Sequence, residues 1–128
     1  MTEVHTIITQ DPTGQKLVEF AERTAQRLVR EGLTRSQIRN IFTEVRKIEA
    51  LWETKAEDAL RRLVMLKPKL DYQAARQRQV KGLKQVLVEA IDAVVEASDP
   101  AERNRRFQRF VDLFEAILAY HRAKGGRN

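Results

Sequence analysis

The chain has 128 residues, of which 42% are hydrophobic and 33% charged, and its formal net charge is +6. This composition can bury one core, and the absence of Cys excludes disulfides and thiolate-bound metal clusters. No segment approaches the roughly 18 continuous apolar residues of a membrane span. We therefore expect a soluble, cytoplasmic protein with an anionic partner and no cofactor.

The first part of the chain predicts an arm followed by one helix. Residues 1–10 show no helical period, so we expect a flexible, weakly extended arm before a single domain over residues 11–126. Asp11 and Pro12 have the order of an N-cap and a first helical position. This helix should end at Gly32.

The next segment carries the clearest amphipathic pattern. Thr34 and Gln37 have the spacing of a capping box, and apolar residues recur at three and four as far as Trp52. A second capping pattern begins at Thr54, so either a third helix starts there or the second continues. A continuous helix would make helix exchange between two chains conceivable. In both cases the helix should end at Pro68, because proline has no amide hydrogen and restricts the residue before it.

The last third of the chain predicts two more helices. After Pro68 helical composition resumes, and a fourth helix that Gly82 weakens should end near Ala97. Asp99 and Pro100 then mark a strong restart, and the paired glycines from Gly125 mark the stop. The last helix carries an aromatic core stripe: Phe107, Phe110, Val111, Phe114, Ile117, Leu118 and His121. With no alternating strand signal, the fold class is all-α, a compact antiparallel bundle of about five helices.

Residues able to carry out catalysis are scarce. The histidines are His5, in the arm, and His121, which we interpret as a packing or capping residue. Glu89, Asp92 and Glu96 share a helix face without a histidine, which is typical of a solvated acidic face rather than a metal site. No glycine-rich loop precedes a helix to hold a phosphate. We therefore predict no enzymatic activity and no metal.

The strongest functional signal is a basic block at residues 61–84. It holds eight basic residues and one acidic residue, Asp71, and Pro68 interrupts it. Such a block is either a phosphate-tracking surface with Tyr72 as one stacking ring, or a solvated basic face. Tyr72 is equally compatible with half-buried structure. Because no stacking platform accompanies it, we expect little sequence preference.

Three segments resemble a known family, the small helical subunit of type III-A CRISPR interference complexes, the Csm assemblies. They are residues 33–39 (LTRSQIR), 66–76 (LKPKLDYQAAR) and 110–121 (FVDLFEAILAYH). The resemblance covers roughly residues 33–126. Ala75 departs from it, because glycine is expected before the arginine, which makes the turn there less certain but leaves Arg76 in place.

The resemblance implies a non-catalytic subunit that stacks in several copies beside the backbone subunits and contacts target RNA and the guide duplex. Its partners would be both RNAs, the other Csm subunits and copies of itself, with no membrane. Basic positions of the family motifs fall on Arg39, Lys67, Lys69 and Arg76. Charge and proximity add four further candidates for phosphate contact: Arg35, Lys47, Arg62 and Arg78.

A different class of function is a helical adaptor that binds only protein. It would use the acidic face from Glu89 to Glu102 against a basic neighbour. Salt dependence separates the two hypotheses, since RNA binding through phosphates weakens steeply with salt whereas an adaptor binds no RNA.

Overall fold

The computed structural model describes residues 2–128, which form helices joined by short connections. The helices are α1 (Glu3–Gln10), α2 (Gln15–Arg30), α3 (Arg35–Trp52), α4 (Ala56–Arg76), α5 (Lys81–Glu96) and α6 (Pro100–Ala123), with a 3₁₀ turn at Arg78–Val80 before α5. Residues 2–128 contain no strand, so the all-α prediction is confirmed. Six helices form where about five were expected.

Helices α3, α4, α5 and α6 make an antiparallel bundle in which consecutive helices pack together and α6 closes the ring against α3. Helix α2 lies along α6, and α1 packs on α5 and α6. The largest fully buried side chains come from all of these helices and from the loop before α3: Phe110, Phe114, Ile7, Ile8, Leu28, Leu33, Ile38, Leu63, Leu70, Leu83, Leu87 and Ile91. One continuous core therefore spans the helices.

Residues 3–10 form a helix, so the prediction of an extended arm is wrong there. The Thr2 hydroxyl accepts a hydrogen bond from the His5 amide at 3.0 Å and caps α1. Val4, Ile7 and Ile8 lie at helical spacing and are buried. A helix this short is marginal alone, and packing against α5 and α6 stabilises it. Met1 lies outside the described residues.

The start of α2 differs from its prediction, although its end does not. Gly14, at φ 83°, precedes the first helical residue, so Asp11 and Pro12 lie in the turn before the helix. The buried Asp11 carboxylate nevertheless accepts a hydrogen bond from the Leu17 amide at 3.0 Å. Gly32, at φ 88°, follows the last turn and confirms the predicted stop.

Helices α3 and α4 are separate, which settles the alternative left open by the sequence. The Lys55 amide donates to the Leu51 carbonyl at 2.8 Å in the turn between them. Lys55 occupies the N-cap position of α4 without a side-chain hydrogen bond, so Thr54 is not the cap. The long helix that would favour helix exchange between chains does not form.

Pro68 does not end α4, which continues to Arg76. Leu66 and Leu70, on either side of the proline, are both buried, and this packing holds the helix together. The missing amide leaves the carbonyl of Val64 without its helical partner. Because Val64 lies on the exposed side, water can satisfy that carbonyl.

The helix predicted to resume after Pro68 is divided, because residues 73–76 belong to α4 and α5 begins only at Lys81, but its end before Ala97 is as predicted. The other local predictions are confirmed. Thr34 and Gln37 form a reciprocal capping box at the start of α3, with distances of 3.0 and 3.1 Å. The Asp99 carboxylate accepts from the Glu102 amide at 3.0 Å, and Pro100 is the first residue of α6. The aromatic stripe is buried except for Leu118, which is half-buried. Gly125, at φ 90°, follows the end of α6.

Candidate nucleic-acid interface

Antiparallel packing brings the start of α3, the end of α4, the start of α5 and the end of α6 to one end of the bundle. We call this the basic end and define it by the cations located there: Arg35, Arg39, Lys69, Arg76, Arg78, Lys81 and Arg122. The C-termini of α4 and α6 carry partial negative charge, which favours cations in their last turns. The sequence separates these residues into several segments, and the fold collects them.

Arg35 and Arg39 line a cleft of about 390 Å³ between α3 and α6. Arg122, from the last turn of α6, reaches the same cleft, whose floor includes Leu118. Arg39 and Arg122 have no ion pair within residues 2–128, and the Nε of Arg35 is buried without a hydrogen-bond partner there. The cleft therefore combines an apolar floor with available positive charge.

Glu115 is the acidic residue of this cleft, and it pairs with Arg46. The Glu115 carboxylate lies 3.1 Å from Nη2 of Arg46, whose Nη1 is 2.7 Å from Glu49. The hydrogen bond to Glu49, together with the charges of both carboxylates, raises the pKa of Arg46 above its ordinary value. Because Arg46 is shared with Glu49, it cancels only part of the negative charge that Glu115 brings to the cleft.

A second groove, of about 540 Å³, lies at the end of α4. Its lining residues are Lys69, Tyr72, Gln73, Arg76 and Gln77. Tyr72 is 65% exposed, and Arg76 contacts its ring, with Cζ 5.7 Å from the ring centroid. Nη1 of Arg76 also lies 3.3 Å from the phenol oxygen. Half-buried structure was one of the alternatives for Tyr72, and the exposure of the ring excludes it.

Arg78 lies in a third cleft, where the 3₁₀ turn and the start of α5 meet the end of α2. Arg27, Glu31 and Lys81 line the same cleft of about 310 Å³. Glu31 forms a long ion pair with Arg27, at 3.9 Å. Arg78 and Lys81 have no ion pair in the described part of the chain. The positive charge of the basic end thus extends around several helices.

The remaining three of the eight predicted site residues are paired with a carboxylate or lie away from the basic end, so they are less available for phosphate contact. Lys67 pairs with Asp92 of α5, with Nζ 2.6 Å from the carboxylate. Lys47 lies 3.8 Å from Glu44, in the half of α3 away from the basic end. Arg62 is exposed, but it belongs to the first half of α4 and also lies away from the basic end. The structure therefore does not gather all eight into one surface.

Three residues of this region were not predicted as site residues: Lys81, Arg122 and Tyr72. Nothing in the sequence around Arg122 shows that α6 places it in the same cleft as Arg39. Tyr72 was left undecided, although its position two residues after the buried Leu70 is a usable signal. Two helical steps rotate a side chain by about 200°, to the opposite face.

The acidic stripe of α5 (Glu89, Asp92 and Glu96) is exposed, as expected of a solvated face, and two of its three members also form ion pairs. Asp92 pairs with Lys67, and Glu96 lies 2.7 Å from Nε2 of His5 and 3.8 Å from Arg106. Among residues 2–128, no group of three or more His, Asp or Glu side chains is arranged to hold a metal ion. The stripe instead ties α1, α4 and α6 to α5.

The sequence model of the family described as Csm2 Type III-A matches residues 11–127. The chain belongs to this family. Its members are small structural subunits of the type III-A CRISPR complex, whose partners include the other Csm subunits, and they are not known enzymes. The match confirms the resemblance seen in three segments and extends it over α2.

Comparisons with curated proteins and with solved structures found no match. Within the described residues, no helix is long and apolar enough to cross a membrane.

Proposed function

We propose that this chain is a non-catalytic small subunit that binds the backbone of target RNA and of the guide duplex without sequence specificity. Several copies stack side by side in a cytoplasmic type III-A ribonucleoprotein. Membership of the family supports the assignment to this complex. The RNA contact, the stacking and the compartment are the steps that we add.

The observation that carries the proposal is the concentration of available cations at the basic end. Arg39, Lys69 and Arg78 lie in three different clefts there, and none has an ion pair within residues 2–128. Unpaired Lys and Arg side chains neutralise phosphates and release the counterions that surround a nucleic acid. Such contacts recognise charge and spacing rather than base identity.

The eight predicted residues differ in how directly this proposal assigns them to phosphate contact. Arg35, Arg39, Lys69, Arg76 and Arg78 lie at the basic end and are the first choice for phosphate contact. Lys67 must first exchange Asp92 for a phosphate, an exchange that costs little because exposed ion pairs are weak. Lys47 and Arg62 contribute where an RNA strand runs along the bundle.

The histidines support a role without catalysis. His121 is buried and contacts a backbone carbonyl, and His5 is paired with Glu96. His5 shares its cleft with Thr2 and Glu96, but Glu96 holds its Nε2 and the Thr2 hydroxyl serves as the cap of α1. We therefore assign cleavage of RNA to other subunits.

The stacking of copies is supported by charge at the opposite end of the bundle. Glu53, Glu57 and Asp58 lie there, around the start of α4, and have no ion pair within the described chain. These unpaired carboxylates can contact cations of a neighbouring copy outside its basic end, which leaves the basic end free for RNA.

Binding of single-stranded RNA across a salt series tests the proposal. If the chain neutralises about four to six phosphates, log affinity should fall with log salt at a slope of about −3 to −4. The double variant Lys69→Ala/Arg76→Ala should weaken binding to all RNA sequences alike and make the slope shallower. A matched control, Lys16→Ala/Lys55→Ala, removes the same charge at exposed positions away from the basic end and should bind normally.

Circular dichroism verifies that both double variants retain the fold. If both double variants weakened RNA binding equally, binding would depend on the net charge of the chain rather than on the basic end. That result would contradict the proposed site. A wild-type chain that binds no RNA at low salt would favour the adaptor function instead.

A further inference from the structure

We propose that the groove at the end of α4 binds one unpaired RNA base, which stacks on Tyr72 while Lys69 and Arg76 hold the adjoining phosphates. We call this groove the Tyr72 site and define it by its lining residues: Lys69, Tyr72, Gln73, Arg76 and Gln77. The inference rests on the proposed RNA binding and adds the part of the RNA that this groove recognises.

The register of α4 produces the site. Leu66 and Leu70 are buried in the core, which fixes the rotation of the helix about its axis. Tyr72, two residues after Leu70, must then point away from the core. Lys69 and Arg76 lie three and four residues from Tyr72, so their side chains share its face. Gln73 follows Tyr72 directly and lines the groove from the adjoining position. The C-terminal end of the helix adds partial negative charge that favours Arg76.

The exposure of the Tyr72 ring is the central observation. Among the large hydrophobic residues that the structure leaves exposed, Tyr72 has the highest exposure, 65%, and Met65 follows at 51%. The ring is in contact with Arg76, and that contact leaves most of it in solvent. An aromatic ring beside two cations and open to solvent is the arrangement on which single-stranded nucleic acids stack.

The glutamines supply hydrogen bonds for the edge of a base. Nε2 of Gln73 lies 3.4 Å from Oε1 of Gln77, a long contact that is readily exchanged. Each side-chain amide offers both a donor and an acceptor, so the pair can rotate to complement different base edges. The site therefore holds a base without demanding one identity, which agrees with backbone recognition free of sequence preference.

A base in a duplex cannot use this site, because its faces are covered by neighbouring base pairs and its edge is paired. The Tyr72 site therefore distinguishes an unpaired nucleotide from a paired one, which the cations alone do not. Base–aromatic stacking corresponds to an affinity gain between about 5-fold and 150-fold for each base. We expect this gain on single-stranded RNA and none on duplex.

The test compares the full chain and its variants on a single-stranded RNA and on a duplex of the same length. Tyr72→Leu removes the ring and keeps an apolar side chain, and it should weaken single-strand binding about tenfold. Duplex affinity and the salt slope should not change. Tyr72→Phe keeps the ring and loses only the phenol contact to Arg76, so it should bind like wild type. Met65→Ala, another exposed apolar position of α4, serves as the control.

A second readout follows the base itself. An RNA that carries 2-aminopurine should lose fluorescence on binding to wild type and to Tyr72→Phe, and should lose much less on Tyr72→Leu. Equal loss of single-strand and duplex affinity in Tyr72→Leu, or no loss at all, would overturn the inference while leaving backbone binding in place.

Two further outcomes separate the possible failures. If the wild-type chain binds neither the single-stranded RNA nor the duplex, the proposed function and this inference are both overturned. If Tyr72→Leu binds RNA normally but no longer co-purifies with the other Csm subunits, Tyr72 is a protein contact and the base site is wrong.

Discussion

The Nε2 atom of His121, near the end of α6, lies 2.7 Å from the carbonyl oxygen of Leu33, just before α3 begins. A carbonyl oxygen only accepts, so Nε2 must carry the hydrogen and donate it. His121 is 1% exposed, and the bond fastens together the two helix ends that hold Arg35 and Arg122. A buried histidine therefore helps to hold one cleft of the basic end in place.

The variant His121→Ala should lose about 2 to 4 kcal/mol of unfolding free energy, because it leaves a cavity and a buried carbonyl without a partner. Urea denaturation followed by circular dichroism measures this loss. Arg122→Ala, at the exposed neighbouring position, should stay within about 0.5 kcal/mol of wild type. Identical midpoints for His121→Ala and wild type would show that this bond does not stabilise the fold.

Phe114→Ala should cost about 3 to 5 kcal/mol, the range for a fully buried aromatic ring. Phe114 is completely buried and packs edge-to-face on Phe42, with ring centroids 5.1 Å apart. A thermal melt compares the variant with wild type and with Met65→Ala, whose exposed side chain contributes little. An unchanged melting temperature for Phe114→Ala would contradict its place in the core.

Gly82→Ala should destabilise the protein although alanine is the better helix former by about 1 kcal/mol. A Cβ at this position would lie 2.9 Å from Cδ2 of the buried Leu28 and 2.7 Å from Oε1 of Glu31. We expect a net loss of about 1 to 2 kcal/mol from overpacking between α2 and α5.

The double variant Gly82→Ala/Leu28→Ala tests the cause of this loss. Its destabilisation should be smaller than the sum of the two single losses, because the second change removes Cδ2 of Leu28, the buried one of the two atoms that the new methyl group meets. Additive losses would mean that Leu28 is not the obstacle.

The lowered pKa of Glu102 predicts that the stability of the protein depends on pH. Hydrogen bonds from Arg106 and then Arg105 hold the pKa of Glu102 below its ordinary value. A carboxyl group with a lowered pKa contributes stability that is fully present above the ordinary glutamate value of about 4.3 and is lost as the pH falls through the lowered value.

Glu102→Gln should therefore unfold at a lower urea concentration than wild type at pH 7. The gap between the two midpoints should shrink as the pH falls below about 4 and vanish once Glu102 is protonated. A gap that persisted at pH 2 would assign the effect to hydrogen-bond geometry rather than to charge.

Asp92→Asn should strengthen RNA binding if Lys67 joins the cations of the basic end in contacting phosphates. Asp92 competes with phosphate for Lys67, with Nζ 2.6 Å away, and the substitution removes that competition with almost no change in shape. We expect a gain of about two- to fivefold at low salt that disappears in the background of Lys67→Ala. A gain that survives in that background would come from net charge alone.

Helix boundaries set by neighbouring residues could be predicted from the sequence. The capping box of Thr34 and Gln37, and the cap and proline at Asp99 and Pro100, depend on contacts only a few residues apart. Where the outcome depended on distant partners, the predictions failed: α1 needs α5 and α6, and α4 passes Pro68 because Leu66 and Leu70 are held by the core.

The sequence by itself determined an all-α chain with a basic block, its membership of the family through three motifs, and the buried faces of its helices. Local hydrogen bonding and apolar spacing are sufficient for those results. Only the tertiary structure decided which cations lie together and which carboxylates pair with them. It also decided that Tyr72 is exposed to solvent. Arg39 and Arg122 meet because α3 and α6 are antiparallel, and Lys67 meets Asp92 because α4 packs on α5. Packing between helices, not proximity along the chain, fixes these distances.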